Sequence, residues 1–377
     1  MATRFTTVLR LPARRVPACR IRVGHGLAGL LARELARRPL GGRYALVSDP
    51  QIARLQAPDI ESALQSAGLV VQRFVCPGGE AGKTRDAKAD LEDQLLAAGL
   101  GRGDALLALG GGAVSDLAGF VAATYHRGIP WIALPTSLLA MVDASLGGKT
   151  AVDAPAGKNL IGAFHPPTAV YADLAWLDTL PESGVREGLA EVAKHALIAV
   201  SDLTCFVETN AADLVARRPE AIERVVVASV ALKVEVVAAD PLERGRRAIL
   251  NFGHTVAHAL ERVSGYRLSH GDAVGIGLRV EIDLSQRLGF LPAADAQRAR
   301  SLVTRLGLPT RVPPDIDLDR IVDCATLDKK ARGGEIRCVV LRGIGDVAVQ
   351  GDDWTVAVEA SLMRAALAAA RAPAGGP

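Results

Sequence analysis

Cysteine is scarce and scattered: Cys19, Cys76, Cys205, Cys324 and Cys338 are odd in number and form no CxxC pair, which argues against a disulfide framework and against a thiolate zinc site. A reducing cytoplasm is the expected compartment. An excess of either charge is also missing. The 44 Lys plus Arg against 41 Asp plus Glu leave +3, too little to drive binding to nucleic acid or to a membrane surface. No apolar run is long enough for a membrane span, because the best candidate, 225–239, is broken by Lys233 and Glu235. A cleaved leader is not expected either. The arginine-rich N-terminus carries no acidic residue before Glu34, which is a transit-peptide composition, yet Val8-Leu9-Arg10-Leu11 and Ile21-Arg22-Val23 alternate as strands do.

What is present is enough apolar material for two cores: 377 residues, 49% hydrophobic. In the first half, apolar runs alternate with helical stretches. Strands are expected at 44–47, 70–74, 105–109 and 131–134, with helices at 60–67, 88–98 and 114–124. That alternation implies a parallel sheet covered on both faces, a nucleotide-binding architecture in outline. From about Leu180 the period becomes helical, as in 222–239 and 255–263. The expected organisation is therefore an α/β Rossmann-like domain over 1–179, a mainly α-helical metal-binding domain over 180–360, and a partly disordered tail over 361–377.

Three of the seven histidines fall close together, at His254, His258 and His270. His254 and His258 are four apart and share one face of a helix, a geometry by which imidazoles converge on a metal; Glu187 and Glu191, also four apart, could add a carboxylate. Gly110-Gly111-Gly112-Ala113-Val114-Ser115-Asp116 stands where a strand hands over to a helix, so its backbone can approach a pyrophosphate at a helix N-terminus. Pro77-Gly78-Gly79-Glu80-Ala81-Gly82-Lys83 follows another strand, and Glu80 or Asp49 there could take ribose hydroxyls or merely cap a turn. Gly147-Gly148-Lys149-Thr150 is not a P-loop, because Asp143 occupies the position of its first glycine. Lys149, Lys158 and Asn159 on glycine-rich chain suit an anionic substrate instead. Arg247, Asn251 and the histidines, spaced about a helical turn apart, are expected to line one face, with Arg247 free to grip a carboxylate or phosphate.

Taken together, the segments 78–83, 110–120, 127–129, 135–150, 157–167, 188–195, 250–261, 270–277 and 328–330 closely resemble the 3-dehydroquinate synthase family of the sugar phosphate cyclases. The resemblance implies an N-terminal NAD⁺ domain, a helical metal domain carrying Zn²⁺ or Co²⁺, an active site between them, and a homodimer. It moves the metal ligands to Glu191, His254 and His270 and assigns His258 to the substrate side. It implies NAD⁺ contacts at Asp49, Gly79, Glu80, Lys83, Gly111, Gly112, Ala113, Ser115, Asp116, Thr136, Ser137, Lys149, Lys158, Trp176 and Thr179. Lys149, Lys233, Arg247, Asn251 and His258 take catalytic roles, and Asp143, Asn159, Lys194, Glu243, Lys329 and Lys330 contact a phosphorylated sugar acid. Arg127 would reach the partner subunit's site.

The activity so implied is conversion of 3-deoxy-D-arabino-heptulosonate 7-phosphate to 3-dehydroquinate and phosphate, with NAD⁺ regenerated in each turnover. Two alternatives share the architecture: a cyclase for another sugar phosphate, and a metal-dependent NAD(P) alcohol or glycerol dehydrogenase. The Arg247 and Asn251 pair, suited to a carboxylate, favours the first reading over other cyclases. Glu191 and the lysine set disfavour the dehydrogenase, whose metal site is typically built from Asp and His.

Overall fold

A computed structural model describes residues 18–199, 202–326 and 335–371; the expected strand at Val8-Leu9-Arg10-Leu11 lies outside them. The first half is a six-stranded, all-parallel sheet of β1 (Arg20–Gly24), β2 (Arg43–Ser48), β3 (Val70–Val75), β4 (Ala105–Gly110), β5 (Trp131–Pro135) and β8 (Ala169–Asp173), ordered β1-β8-β5-β4-β2-β3. The central strands read as unbroken apolar runs because both faces are covered. Leu106, Leu107, Ala108 and Leu109 of β4 are all fully buried. Helices α1 (Ala28–Arg37), α2 (Pro50–Leu55) and α3 (Ala57–Ser66) follow β1 and β2, and α4 (Arg85–Ala97) and α5 (Gly112–Thr124) follow β3 and β4. A hairpin of β6 (Lys149–Ala154) and β7 (Gly157–Phe164) stands apart from the sheet and packs on α5. Its glycines hide the strand alternation, so the sequence pattern does not announce it.

After β8 the chain becomes helical: α6 (Glu182–Ile198), α7 (Asp202–Val215), α8 (Pro219–Ala239), α9 (His254–Val263), α10 (His270–Arg287), α11 (Ala293–Arg305), α12 (Leu318–Thr326) and α13 (Ala360–Ala369). Short antiparallel pairs, β9 (Ile336–Cys338) with β12 (Val356–Val358) and β10 (Leu341–Gly343) with β11 (Asp346–Val347), complete it. The first part of the expected tail forms α13, which buries Met363, Ala366 and Leu367 against the helical body. A continuous helical face from Arg247 to His258 does not exist. Arg246–Asn251 is a 3₁₀ turn, and Gly253, at φ 82°, breaks the path before α9 begins at His254. Among the described residues no helix is long and apolar enough to cross a membrane.

Candidate active site

The start of α9 is fixed by its neighbour. Glu281 of α10, fully buried, accepts the N–H groups of Gly253 and Val256 at 2.7 and 3.4 Å. The two helices touch at Gly277, where a Cβ would stand 2.0 Å from the Gly253 carbonyl oxygen. This contact brings His254 toward His270, the first residue of α10, and toward Glu191 in the middle of α6. The Nε2 atoms of His254 and His270 lie 3.4 and 3.3 Å from Glu191 Oε1, and one ligand atom from each of the three falls within 4.8 Å of the others.

The far nitrogens of both rings are also held. His254 Nδ1 donates to the Phe252 carbonyl at 3.1 Å, and His270 Nδ1 lies 3.6 Å from Glu261 Oε1. Such partners fix the tautomer and aim Nε2 at a cation. Burial raises the Glu191 carboxyl, but Lys194 and His254 hold it well below the usual carboxylate range. Burial lowers His254 and so favours the neutral imidazole a metal requires. Burial opposes protonation of His270 as well, but Glu191 and Glu261 push it up to about 10; that proton is one a bound cation displaces. One carboxylate and two imidazoles, with coordination positions to spare, fit a catalytic Zn²⁺ or Co²⁺. His258 is exposed and outside this group, its ring 5.5 Å from that of His254.

A chain of charges leads away from the triad. Lys194 pairs with Glu191 and lies 3.7 Å from Asp143. Asp143, in the π turn Ala140–Ala144 after β5, pairs with Lys233 of α8, which also donates to its carbonyl at 2.6 Å. Burial and the Arg247 charge pull Lys233 well below the ordinary lysine value. Lys149 pairs with Glu243, which accepts from Asn251 Nδ2 at 3.0 Å. Arg247 is buried and donates to the carbonyls of Pro241 and Gly147 at 2.8 and 3.3 Å. Its Nε has no hydrogen-bond partner among the described residues. The 3₁₀ turn thus brings Arg247 and Asn251 to the lysines by a route other than the helical face the spacing suggested.

The nucleotide-type crevice follows from topology. The chain leaves β2 toward β3 and β4 toward β5, in opposite directions across the sheet, so a switch point opens at the C-terminal ends of β2 and β4, where open parallel sheets bind nucleotides. Gly111 caps α5 there, and Gly112 and Ala113 form its first turn. Asp49 caps α2, accepting from Gln51 and Ile52 at 2.9 and 3.0 Å. Lys83 is buried and donates to Asp116 at 3.0 Å and Asn159 at 2.7 Å, with Glu80 at 3.2 Å. Burial pushes Asp116 up to about 6 against the pull of Lys83. Gly79 is left-handed at φ 70°. Thr136 is buried, Ser137 Oγ accepts from Ala140 at 3.3 Å, and Ser115 Oγ is buried with no partner among the described residues. Thr179 accepts from Gln56 at 3.1 Å, whereas Trp176 is buried in the core between the sheet and helices α1 and α3. Lys158 joins this crevice to the metal triad, donating to Glu261 at 2.9 Å and lying 3.6 Å from Glu80.

Sequence reasoning passed over Glu261, which supports both His270 and Lys158. The signal was available: Glu261 lies seven residues after His254, on the same face of α9. It also passed over Glu281, for which no local pattern exists. Glu187 stays outside the ligand group. Arg127 is exposed at the end of α5 opposite the glycine turn, in left-handed backbone at φ 68°. Lys329 and Lys330 lie outside the described residues.

Residues 73–187 match the family model for the 3-dehydroquinate synthase N-terminal domain, and 188–331 match that for the C-terminal domain. The chain is 45% identical over 327 residues to the 3-dehydroquinate synthase of Caulobacter vibrioides (85% of this chain, 88% of that one). It is 43% identical to that of Symbiobacterium thermophilum over 88% of this chain and 93% of that one. Among solved structures, it superposes on 2-deoxy-scyllo-inosose synthase, complexed with carbaglucose-6-phosphate, NAD⁺ and Co²⁺, with a TM-score of 0.85 at 26% identity, covering 93% and 96% of the two chains. The 2-epi-5-epi-valiolone synthase of Streptomyces hygroscopicus subsp. jinggangensis, with NAD⁺ and Zn²⁺ bound, gives 0.86 at 28% identity, covering 96% and 99%. The butanol dehydrogenase of Thermotoga maritima shares the fold alone, with a TM-score of 0.66 at 14% identity and coverage of 97% and 99%.

Proposed function

We propose, because the chain belongs to the 3-dehydroquinate synthase family, that it converts 3-deoxy-D-arabino-heptulosonate 7-phosphate to 3-dehydroquinate and phosphate, with NAD⁺ and a divalent metal as resident cofactors. The observation that carries this reading is the continuous chain of charge from Glu191, His254 and His270 through Lys194, Asp143 and Lys233. It sets a metal-type donor group beside cations that suit a phosphate and a carboxylate.

When bound, the metal supplies a Lewis acid for the C5 hydroxyl, and the nucleotide a hydride acceptor that is restored within the same turnover. The protein's own part is to bind, orient and exclude water. Lys149, Lys233 and Arg247 offset the substrate's negative charges, and burial strengthens the contacts of Lys233 and Arg247. Arg247 keeps a buried Nε–H for a carboxylate or phosphate oxygen. Asn251, held by Glu243, presents its carbonyl oxygen as an acceptor for a hydroxyl. Lys194 and Asp143 fix the orientation of Glu191, and His258, near His254 but outside the donor group, is placed to exchange a proton with the substrate through a ring nitrogen. Holding one conformer supplies much of the rate of the closing aldol step.

The protein works as a homodimer in the cytoplasm. None of the five cysteines is in a disulfide among the described residues. Arg127 lies at the far end of a 13-residue helix from the crevice, about 20 Å away along the axis, and so serves the partner's site. Leu160, Ile161 and Phe164 on β7 are 39%, 37% and 50% exposed, an apolar surface that a second copy covers. Phosphate release from the heptulosonate phosphate, with product identity read by NMR and reduced cofactor followed by absorbance, tests the activity. Release with no net NADH is expected; stoichiometric NADH would refute the cyclase reading and favour a dehydrogenase.

A further inference from the structure

The helical half carries a second concave site that the proposed chemistry does not use. Between α10 and α11 a groove of about 530 Å³ is lined by Arg279, Arg287 and Arg300, and it continues past Arg300 to Ser301, Thr304 and Arg305. Asp283 is the single acidic residue of the lining among the described residues, shared by Arg279 at 3.0 Å and Arg300 at 2.7 Å. Four guanidiniums therefore face one carboxylate. Gln286 and Gln297 turn their Oε1 atoms to Arg300, at 3.0 and 3.3 Å, and each also carries an amide NH₂ donor. The pKa of Arg279 is lowered, first by burial and then by the charges of Arg300 and Arg311, against the pull of Asp283. Its Nε is buried with no hydrogen-bond partner among the described residues.

A concave wall of donors and excess positive charge favours an anion with several oxygens, which guanidiniums grip through paired N–H groups. The volume is that of a small-molecule site, which typically spans about 300–1,000 Å³. The groove is separate from the metal triad. His270 begins α10, and Arg279 comes nine residues later, about 14 Å along the axis. We propose that this groove binds a compact polyvalent oxyanion, phosphoryl or polycarboxylate, which bridges Arg279 of α10 to Arg300 and Arg305 of α11.

Calorimetric titration of the full-length, metal-loaded protein with pyrophosphate, and separately with citrate, tests this at low ionic strength, where exposed charges are least screened. A Lys149→Ala/Arg247→Ala protein, disabled in the proposed catalytic cleft, is expected to keep one binding event. Adding Arg279→Gln and Arg305→Gln should remove it or weaken it at least about tenfold, the effect of losing charge-assisted contacts. Should the Arg279 change disturb folding, Arg305→Glu alone, at an exposed position, must still weaken binding several-fold. Tighter binding of pyrophosphate than of citrate assigns the site to phosphoryl ligands, and the reverse order to polycarboxylates. Absence of binding by both probes, or binding unchanged by the groove substitutions, overturns the proposal.

Discussion

Removal of metal-site side chains one at a time should separate residues that hold the ion from those that only stand nearby. In His254→Ala and His270→Ala one of three donors is lost, and the remaining pair cannot complete the shell. Both proteins should emerge from dialysis against a chelator with little metal and no activity. His258→Ala should stay loaded, because its ring lies outside the group whose ligand atoms converge within 4.8 Å. Glu261→Gln is the informative intermediate. It leaves every ligand in place but removes the carboxylate 3.6 Å from His270 Nδ1 and 2.9 Å from Lys158 Nζ. Loss of such a supporting partner lowers metal affinity by about 10- to 100-fold, or roughly 1.4–2.7 kcal/mol. Competition against a chromophoric chelator gives the affinities, and elemental analysis gives the stoichiometry. A depleted His258→Ala beside a fully loaded His270→Ala would refute the assignment and return the ligand role to the pair four residues apart.

Arg127→Ala and Lys149→Ala proteins, each inactive alone, should regain part of the activity when mixed under conditions of verified subunit exchange, since one site of the mixed dimer keeps both residues; no recovery would place Arg127 in its own chain's chemistry or outside it. Gly277→Ala should destabilise the protein by about 1–3 kcal/mol and release metal, because its Cβ would stand 2.0 Å from the Gly253 oxygen; an unchanged thermal midpoint and full metal would contradict that packing. Asp104 accepts from Gly101 N, Arg43 N and Arg43 Nη2 at 2.8, 2.9 and 3.0 Å, and these bonds lower its pKa against burial. Its folded pKa lies below the unfolded one, so its contribution is complete above about pH 4 and fades as pH falls through the folded value. Asp104→Asn should therefore cost about 1–3 kcal/mol near neutrality and less at low pH, as urea unfolding at several pH values would show; a gap independent of pH would be inconsistent.

The α/β half was legible because its strands are buried on both faces and read as short apolar runs between turn residues. β4, expected over 105–109, spans Ala105–Gly110, and β5, expected over 131–134, spans Trp131–Pro135. The β6–β7 hairpin escaped notice since glycine and exposed apolar residues blur the two-residue alternation. Arg246–Asn251 misled for a different reason: the spacing of Arg247 and Asn251 fits an α-helical face, while Gly253 at φ 82° imposes a break that residue type alone does not fix. The local histidine spacing suggested His258 beside His254. Family resemblance, rather than spacing, pointed to Glu191 and His270, because the juxtaposition depends on how α6, α9 and α10 pack. The salt-linked network around Asp143 is still less visible in one dimension, as it draws its members from α6, α8 and a π turn.

That network bears on how product leaves. Lys149, Lys194 and Lys233 already have carboxylate partners in Glu243, Glu191 and Asp143. On the proposed reading, an arriving phosphate or carboxylate competes with an internal anion for each cation, and affinity reflects only the difference between two pairings. Such a site can attract a multiply charged substrate without retaining inorganic phosphate once the ester bond has broken, because each lysine has a partner waiting.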